Sequence, residues 1–131
     1  TPFDLSSGGV VPGEGAVGLV LKRLKDAERD GDRVYAVIRG MGAASGTGAG
    51  LEAGTSDTNA LAIERACAEA GVALQSIGWV ETHGSGDSAE DAMEAEALAR
   101  QFGPDRRFAC QLGSSKTQVG HTGAASGLVS I

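Results

Sequence analysis

The chain has 131 residues, a formal net charge of −6 and a pI near 4.8, which fits one ordinary domain. The acidic balance argues against a general binder of nucleic-acid phosphates, which normally presents a basic face. No apolar run approaches the roughly 20 residues of a membrane span, and the opening residues lack a signal-peptide pattern, so we expect a cytoplasmic location.

Two segments in the first third of the chain have the pattern of strands. Small and large apolar residues alternate over 16–24, which predicts a mostly buried strand. The β-branched, apolar run 34–39 predicts a second strand. It leads into the glycine-rich stretch 40–46, which resembles a GxGxxG phosphate loop only weakly, because the glycines that follow prevent a helix from starting there.

Two helices are predicted in the first half from their composition and stop signals. A short charged helix covers 24–29 and ends near Gly31. A longer helix starts at residue 55 or 56 and runs to about residue 70, with Gly71 as its stop. Its inner face would carry small and apolar residues at three-to-four spacing, namely Ala60, Ile63, Cys67 and Ala70.

The second half predicts a strand, a helix and another strand. The first strand covers 77–82. Ser88 opens the helix, with Asp91 three residues later as an acidic capping box, and Gly103-Pro104 ends it. A short strand over 108–112 then leads into the loop that contains Lys116.

The alternation of strands and helices implies an α/β layered domain. His83 and Lys116 both follow predicted strands, where α/β sheets usually carry their chemistry. Cys67 and Cys110 lie far apart without a CxxC motif, so free thiols are expected. Both ends are abrupt, and we therefore expect a fragment of a larger fold.

The run 112–127 is the most informative stretch of the sequence. Lys116 and His121 lie in a loop of small and polar residues that can bury little apolar surface. Thr122 can cap the helix that follows, and the helix dipole adds positive potential near His121. The run 81–86 places the only other histidine in a similar glycine-flanked loop.

Three kinds of chemistry are open to these residues. Two histidines and a carboxylate could hold zinc, although no short-spaced ligand pair supports a metal and Lys116 would repel it. The carboxylates available for such a site are Glu81, Asp87, Glu90 and Asp91. Ser85 could be a hydrolytic nucleophile with His121 as its base, but it lacks the G-x-S-x-G elbow. In the third option, neutral His83 and His121 donate to a carbonyl that becomes an enolate, and Lys116 stabilises the charge.

Several motifs follow one another in an order that covers nearly the whole chain. They are Pro2-Phe3-Asp4, Gly13-Glu14-Gly15-Ala16, Val20-Leu21-Lys22-Arg23-Leu24, Asp30-Gly31-Asp32, Glu81-Thr82-His83-Gly84, Gly113-Ser114-Ser115-Lys116 and Gly120-His121-Thr122. In these motifs the chain resembles the C-terminal part of a β-ketoacyl synthase (ketosynthase) domain of polyketide and fatty acid synthases. The resemblance implies a thiolase-like fold, of which residues 1–131 are the second half, a partial layered α-β-α domain.

The resemblance also implies an acyltransferase that performs a decarboxylative Claisen condensation. In the family a cysteine holds the growing acyl chain as a thioester, and a malonyl-type extender arrives on the phosphopantetheine of an acyl carrier protein. By resemblance, His83 and His121 assist the loss of CO2 and stabilise the enolate, and Lys116 supports them. The implied partners are the acyl carrier protein, the remainder of the ketosynthase domain and a second copy of the parent enzyme; no bound cofactor, metal, nucleic acid or membrane is implied.

The chain departs from the family pattern in two places. The nucleophilic cysteine belongs to the family's N-terminal half, so the separate chain is expected to be inactive. The family usually reads THGTGT and then a leucine-glycine-aspartate-proline run, whereas residues 82–92 read THGSGDSAEDA. Ser85 keeps a hydroxyl and Asp87 replaces a threonine beside the phosphopantetheine arm, so both are expected to contact it. Asp87 favours the alternative of a non-catalytic partner, chain-length-factor-like or non-elongating, that shapes a pocket or dimer interface; the intact histidines and lysine favour the enzyme.

Overall fold

The computed structural model describes residues 1–45, 56–103 and 110–131, and in these ranges helices alternate with short strands. The elements are α1 (Leu24–Asp30), α2 (Ser56–Ala70), β1 (Trp79–Glu81), α3 (Ser88–Phe102), β2 (Gln111–Gly113), α4 (Lys116–Val119) and α5 (Ser126–Val129). Two 3₁₀ turns, Leu74–Ser76 and Gly123–Ala125, precede β1 and α5. The α/β class predicted from the sequence is confirmed.

The first two helices end where the sequence predicts, at glycines in the left-handed region. Gly31 has φ 71° and its amide donates to the Glu28 carbonyl at the end of α1. Gly71 has φ 64° and its amide donates to Ala68 at the end of α2. Glycine adopts this conformation without a Cβ penalty, so both stops follow from local sequence.

The start of α3 differs from the predicted capping box by one residue. Asp87, rather than Ser88, is the N-cap, and its carboxylate accepts hydrogen bonds from the amides of Ala89 (3.0 Å) and Glu90 (3.1 Å). Asp91 instead accepts from amides outside the helix. A carboxylate at the N-cap satisfies two amides that lack helical partners, which is why the helix begins after Asp87.

The predictions of strands over 16–24 and 34–39 are wrong for this structure. Both segments lie in the described part of the chain and neither is a strand. Their apolar side chains are exposed, with 99% of Val20 and 83% of Tyr35 accessible to solvent. A strand is defined by hydrogen bonds to a neighbour, and the described residues offer no such neighbour to either segment. The alternating pattern alone cannot supply it.

The stretch that weakly resembles a phosphate loop packs against α2 instead. A Cβ added to Gly40 would lie 2.5 Å from the Ala66 carbonyl oxygen, and one on Gly42 would lie 1.9 Å from that of Ala62. Both glycines therefore permit close approach of the backbone to the helix. Gly46, the last residue of the glycine-rich stretch, and residue 55, one of the two predicted helix starts, lie outside the described residues.

The strands β1 and β2 pair in parallel, with Trp79 opposite Gln111 and Glu81 opposite Gly113. Both are shorter than the predicted strands 77–82 and 108–112, and residues 108 and 109 of the latter lie outside the described part. Because the strands are parallel, their carboxyl ends meet at one edge of the sheet. His83 lies in the loop after β1, as the sequence predicts. Lys116 follows β2, as predicted, but it begins α4 instead of lying in a loop.

The buried apolar residues are few and mostly small. Within the described ranges they are Ala27, Ala60, Ala97 and Leu98. Ala60 lies on α2 and the last two on α3, and these two helices pack against each other. On the predicted inner face of α2, Ala60 is buried and Ile63, Cys67 and Ala70 are half-buried. None of the helices in the described ranges combines the length and apolar character that a bilayer crossing requires.

Candidate active site

The two strands hold the site loops together where they end. The Thr82 amide donates to the Gly113 carbonyl oxygen at 2.7 Å, and the Thr82 hydroxyl donates to the same oxygen at 2.8 Å. One residue further on, the Ser114 hydroxyl lies 3.4 Å from the His83 carbonyl oxygen and 3.3 Å from that of Gly84. These contacts extend the pairing of the strands into the loop that carries His83.

His121 is held by a different element, the N-terminal segment. Its amide donates to the Val11 carbonyl at 2.7 Å, and its carbonyl accepts from the Gly13 amide at 3.0 Å. Pro12 and His121 form a parallel bridge through these bonds. A Cβ on Gly13 would lie 2.0 Å from the Val119 carbonyl oxygen, so this approach requires glycine. The segment around Gly13 therefore fixes the backbone of His121.

The two imidazole rings are in contact. Their centroids are 5.6 Å apart and the ring planes make an angle of 81°, an edge-to-face arrangement. His83 lies in the loop before α3, and His121 lies in the segment after α4. The two rings therefore come from separate parts of the chain. His83 remains open to solvent, with 49% of its side chain exposed, and His121 is half-buried.

A hydrogen bond to a backbone amide defines the proton position on His121. The Gly123 amide donates to Nδ1 of His121 at 3.0 Å. A neutral imidazole has one donor and one acceptor nitrogen, so acceptance at Nδ1 leaves the proton on Nε2. Thr122 does not cap the following turn, contrary to prediction, and its buried Oγ1 has no hydrogen-bond partner among the described residues. Nδ1 of His121, rather than the Thr122 hydroxyl, accepts from the first amide of the 3₁₀ turn.

A carboxylate accompanies the other histidine. Oε2 of Glu90 lies 3.4 Å from Nε2 of His83 and accepts a hydrogen bond from the Ser85 hydroxyl at 2.6 Å. The first distance is an electrostatic contact, longer than a well-formed N–H···O bond, whereas the second is a short charge-assisted bond. Ser85 thus holds the Glu90 carboxylate beside the His83 ring.

Two further carboxylates on α3 hold the backbone of the same loop. The Glu94 oxygens accept from the amides of His83 (2.7 Å) and Gly84 (2.8 Å). Asp91, which is buried, accepts from the amides of Gly86 (3.2 Å) and Phe3 (2.7 Å). A carboxylate that accepts from backbone amides forms strong hydrogen bonds. The helix therefore fixes the path of the loop from residue 83 to residue 86.

Lys116 lies at a neighbouring cavity. A cleft of about 400 Å³ is bounded by α2, β1 and α3 and is lined by His83 and Glu90 among others. Lys116 lines a second cavity of about 230 Å³ together with the glycines on either side of Ser85. The loop from residue 83 to residue 86 thus separates the two cavities. The structure brings the two histidines together, and joint action of Lys116 with them stays a prediction.

The two residues expected to bind phosphopantetheine are engaged within the protein. Ser85 is buried, and its hydroxyl donates to Glu90 rather than to His121, which leaves the hydrolase alternative without its nucleophile–base pair. The Asp87 carboxylate caps α3. Within residues 1–45, 56–103 and 110–131, no three histidine, cysteine or acidic side chains are grouped to hold a metal ion. Cys67 and Cys110 are free thiols, as predicted.

The positioning carboxylates were not recognised from sequence as supports of the loop. The sequence predicts Glu90 and Asp91 as possible zinc ligands and Asp91 also as part of a capping box, and it assigns no role to Glu94. A signal was available, because Glu90, Asp91 and Glu94 follow the loop directly at spacings that place side chains on one helix face. Their contact with loop amides depends on how α3 folds back, which the spacing does not reveal.

The two imidazoles meet beside the carboxyl ends of the parallel strands, in an α/β chain. The family described as "beta-ketoacyl synthase, C-terminal domain" matches residues 35–131. The chain belongs to the β-ketoacyl synthase family.

Relatives and solved structures agree with this assignment. The chain is 42% identical over 133 residues to polyketide synthase PksL of Bacillus subtilis, covering 98% of this chain and 3% of that protein. It superposes on the ketosynthase from module 6 of the bacillaene synthase of Bacillus subtilis with a TM-score of 0.89 and 40% identity, covering 98% of this chain and 24% of that one. The chain therefore spans a small part of the proteins that it resembles.

A third similarity is to a complex with a carrier protein. It is described as a type II polyketide synthase acyl-carrier protein in complex with its ketosynthase bound to the hexaketide. The TM-score is 0.87 at 25% identity, and the match covers 98% of this chain and 31% of the other.

Proposed function

We propose that residues 1–131 are the C-terminal part of a ketosynthase domain that performs decarboxylative condensation in polyketide biosynthesis. The observation that carries the proposal is the contact of the two imidazoles, 5.6 Å between centroids, with Nδ1 of His121 occupied by the Gly123 amide. Such a ring has its Nε2–H available to donate to an oxygen that becomes negative.

The proposed reaction begins with a malonyl-type thioester on a carrier protein. The bond between its carboxylate carbon and α-carbon breaks, CO2 leaves, and the electron pair forms an enolate whose oxygen accepts hydrogen bonds from His121 and His83. The enolate carbon then attacks the carbonyl of an acyl thioester on the family's cysteine. The new carbon–carbon bond gives a β-ketoacyl thioester on the carrier, and the cysteine leaves as its thiolate.

Lys116 contributes positive charge from the adjacent cavity, which is lined by backbone of the loop that carries His83. Ser85 and Asp87 lie in the same loop and are proposed to contact the phosphopantetheine of the carrier protein. The proposed partners are that carrier protein, supported by the similarity to a ketosynthase seen with one, the remainder of the ketosynthase domain, and a second copy.

The test separates acyl loading from decarboxylation in a complete ketosynthase domain that carries this chain as its C-terminal region. Replacing His121 with alanine removes the available donor, and loss of one oxyanion donor typically costs about 10²- to 10³-fold in rate. We expect release of CO2 from a malonyl carrier thioester to fall by that factor, while acylation of the cysteine, followed by mass spectrometry, persists.

Val119→Ala is the matched control, because this side chain is exposed two residues before His121 and belongs to neither cavity lining described above. It should leave both steps unchanged. Release of CO2 at the unaltered rate in the His121→Ala variant would remove this histidine from the reaction.

The alternative function is a ketosynthase-like partner that does not elongate. The structural feature that favours it is the Glu90 carboxylate beside His83, because a negative group there opposes a negative substrate. A complete domain that loads acyl chains and releases no CO2 from malonyl thioesters would support this alternative.

A further inference from the structure

The carboxylate of Glu90 occupies the place at which a substrate oxygen would meet His83. It lies 3.4 Å from Nε2, and the side chains of both residues line the open cleft. A substrate oxygen that accepts from the same nitrogen would approach to about 3 Å. The two oxygens would then be close neighbours, and if both carry negative charge they repel each other.

Glu90 is held in this place by a specific contact. The buried Ser85 hydroxyl donates to the same Oε2 atom that faces His83, at 2.6 Å. The contact holds the carboxylate beside Nε2 of His83. Glu90 is also the third residue of α3, where the free helix amides favour a negative side chain. The carboxylate is therefore held at the cleft by contacts within the protein.

We propose that Glu90 is a specificity-determining residue that disfavours carboxylate-bearing extender units beside His83 and favours neutral acyl groups in the same place. This inference rests on the proposed function, because it takes Nε2 of His83 as a donor to the substrate oxygen. The inference goes beyond the proposed function because it assigns a substrate preference to Glu90, a residue other than His83, His121 and Lys116. A domain with this residue elongates more slowly than one with a neutral side chain there.

The experiment measures binding of two stable probes to the complete ketosynthase domain by calorimetry. One probe is malonyl-pantetheine and the other is acetyl-pantetheine, each with an amide in place of the thioester so that neither reacts. Glu90→Gln keeps the size of the side chain and removes its charge. Glu90→Ala is the second variant, in case the glutamine amide makes new contacts.

Both variants should bind the malonyl probe about five- to tenfold more tightly, the effect expected for like charges a few ångströms apart in a partly open site. Affinity for the acetyl probe should change less than twofold. Glu96→Gln, on the same helix and paired with Arg100, should alter neither affinity. An equal change for both probes, an unchanged ratio, or no binding of either probe would overturn the inference.

The binding experiment on Glu90 and the test of the condensation reaction can fail independently of each other. If condensation proceeds and depends on His121 while the ratio of affinities stays constant, the role of Glu90 is wrong and the reaction stands. If the ratio shifts as expected and no condensation product forms, the charge effect stands and the decarboxylative reaction is wrong.

Discussion

Replacing Glu94 with alanine should loosen the loop that presents His83 without touching the imidazole itself. The two oxygens of Glu94 accept from two successive amides, those of His83 at 2.7 Å and Gly84 at 2.8 Å. Alanine keeps the helix propensity of α3 high and leaves both amides without this acceptor.

The magnitude follows from the two lost bonds. A hydrogen bond to a charged group contributes about 1.5–3 kcal/mol. His83 is exposed, so water can replace the bond to its amide, whereas Gly84 is buried and its amide cannot be solvated as easily. We therefore expect a local cost close to that of the single Gly84 bond, about 2–3 kcal/mol, which is roughly a 30- to 150-fold change in an equilibrium constant.

Amide hydrogen exchange with mass spectrometry measures this directly in the complete domain. Peptides that contain the amides of His83 and Gly84 should exchange roughly 30- to 150-fold faster in the variant, because exchange reports local opening. Glu94→Gln should give a smaller effect, since one amide oxygen can still accept. Glu96→Ala is the control, because this side chain lies two residues further along and pairs at the surface with Arg100.

Unchanged exchange of both amides in Glu94→Ala would refute the reasoning that this carboxylate holds the loop. Equal acceleration in the Glu96→Ala control would do so too, because it would assign the effect to the helix as a whole.

Two further predictions test the framework around the site in the complete domain. Gly13→Ala should lower the melting temperature by several degrees, because the new Cβ would lie 2.0 Å from the Val119 carbonyl oxygen and push apart the segment paired with His121. Gly18→Ala, with nothing within 4 Å of the new Cβ, should not, and equal melting temperatures would contradict this account. Asp87→Ala should cost about 1 kcal/mol in urea unfolding through loss of the helix cap, whereas Asp87→Thr should cost a few tenths; a threonine variant as unstable as alanine would contradict the capping role.

Helix ends were predictable because their causes are local. The stops at Gly31 and Gly71 need only a residue that tolerates positive φ after a helical run. The cap of α3 was misplaced by one residue, from Asp87 to Ser88, since both side chains are good caps. In the structure the Asp87 carboxylate accepts from the free amides of Ala89 and Glu90.

Strand prediction was less successful because strands depend on distant partners. The segments 77–82 and 108–112 contain paired strands, β1 and β2, whereas 16–24 and 34–39 have equally suitable residues and no neighbour among those described. Alternating apolar residues indicate which face of a strand could be buried. They do not indicate which neighbouring element would cover that face.

The sequence alone predicted the family, the α/β class, the order of the helices and the two histidine-containing loops after strands. These features depend on motifs, caps and glycine stops, which act over a few residues. Tertiary structure decided the 5.6 Å contact of the imidazoles and the positions of the Glu90 and Glu94 carboxylates against the loop. Each of these joins groups from separate elements across space. Distances of a few ångströms between such elements are set by packing of the whole fold, and no local pattern encodes them.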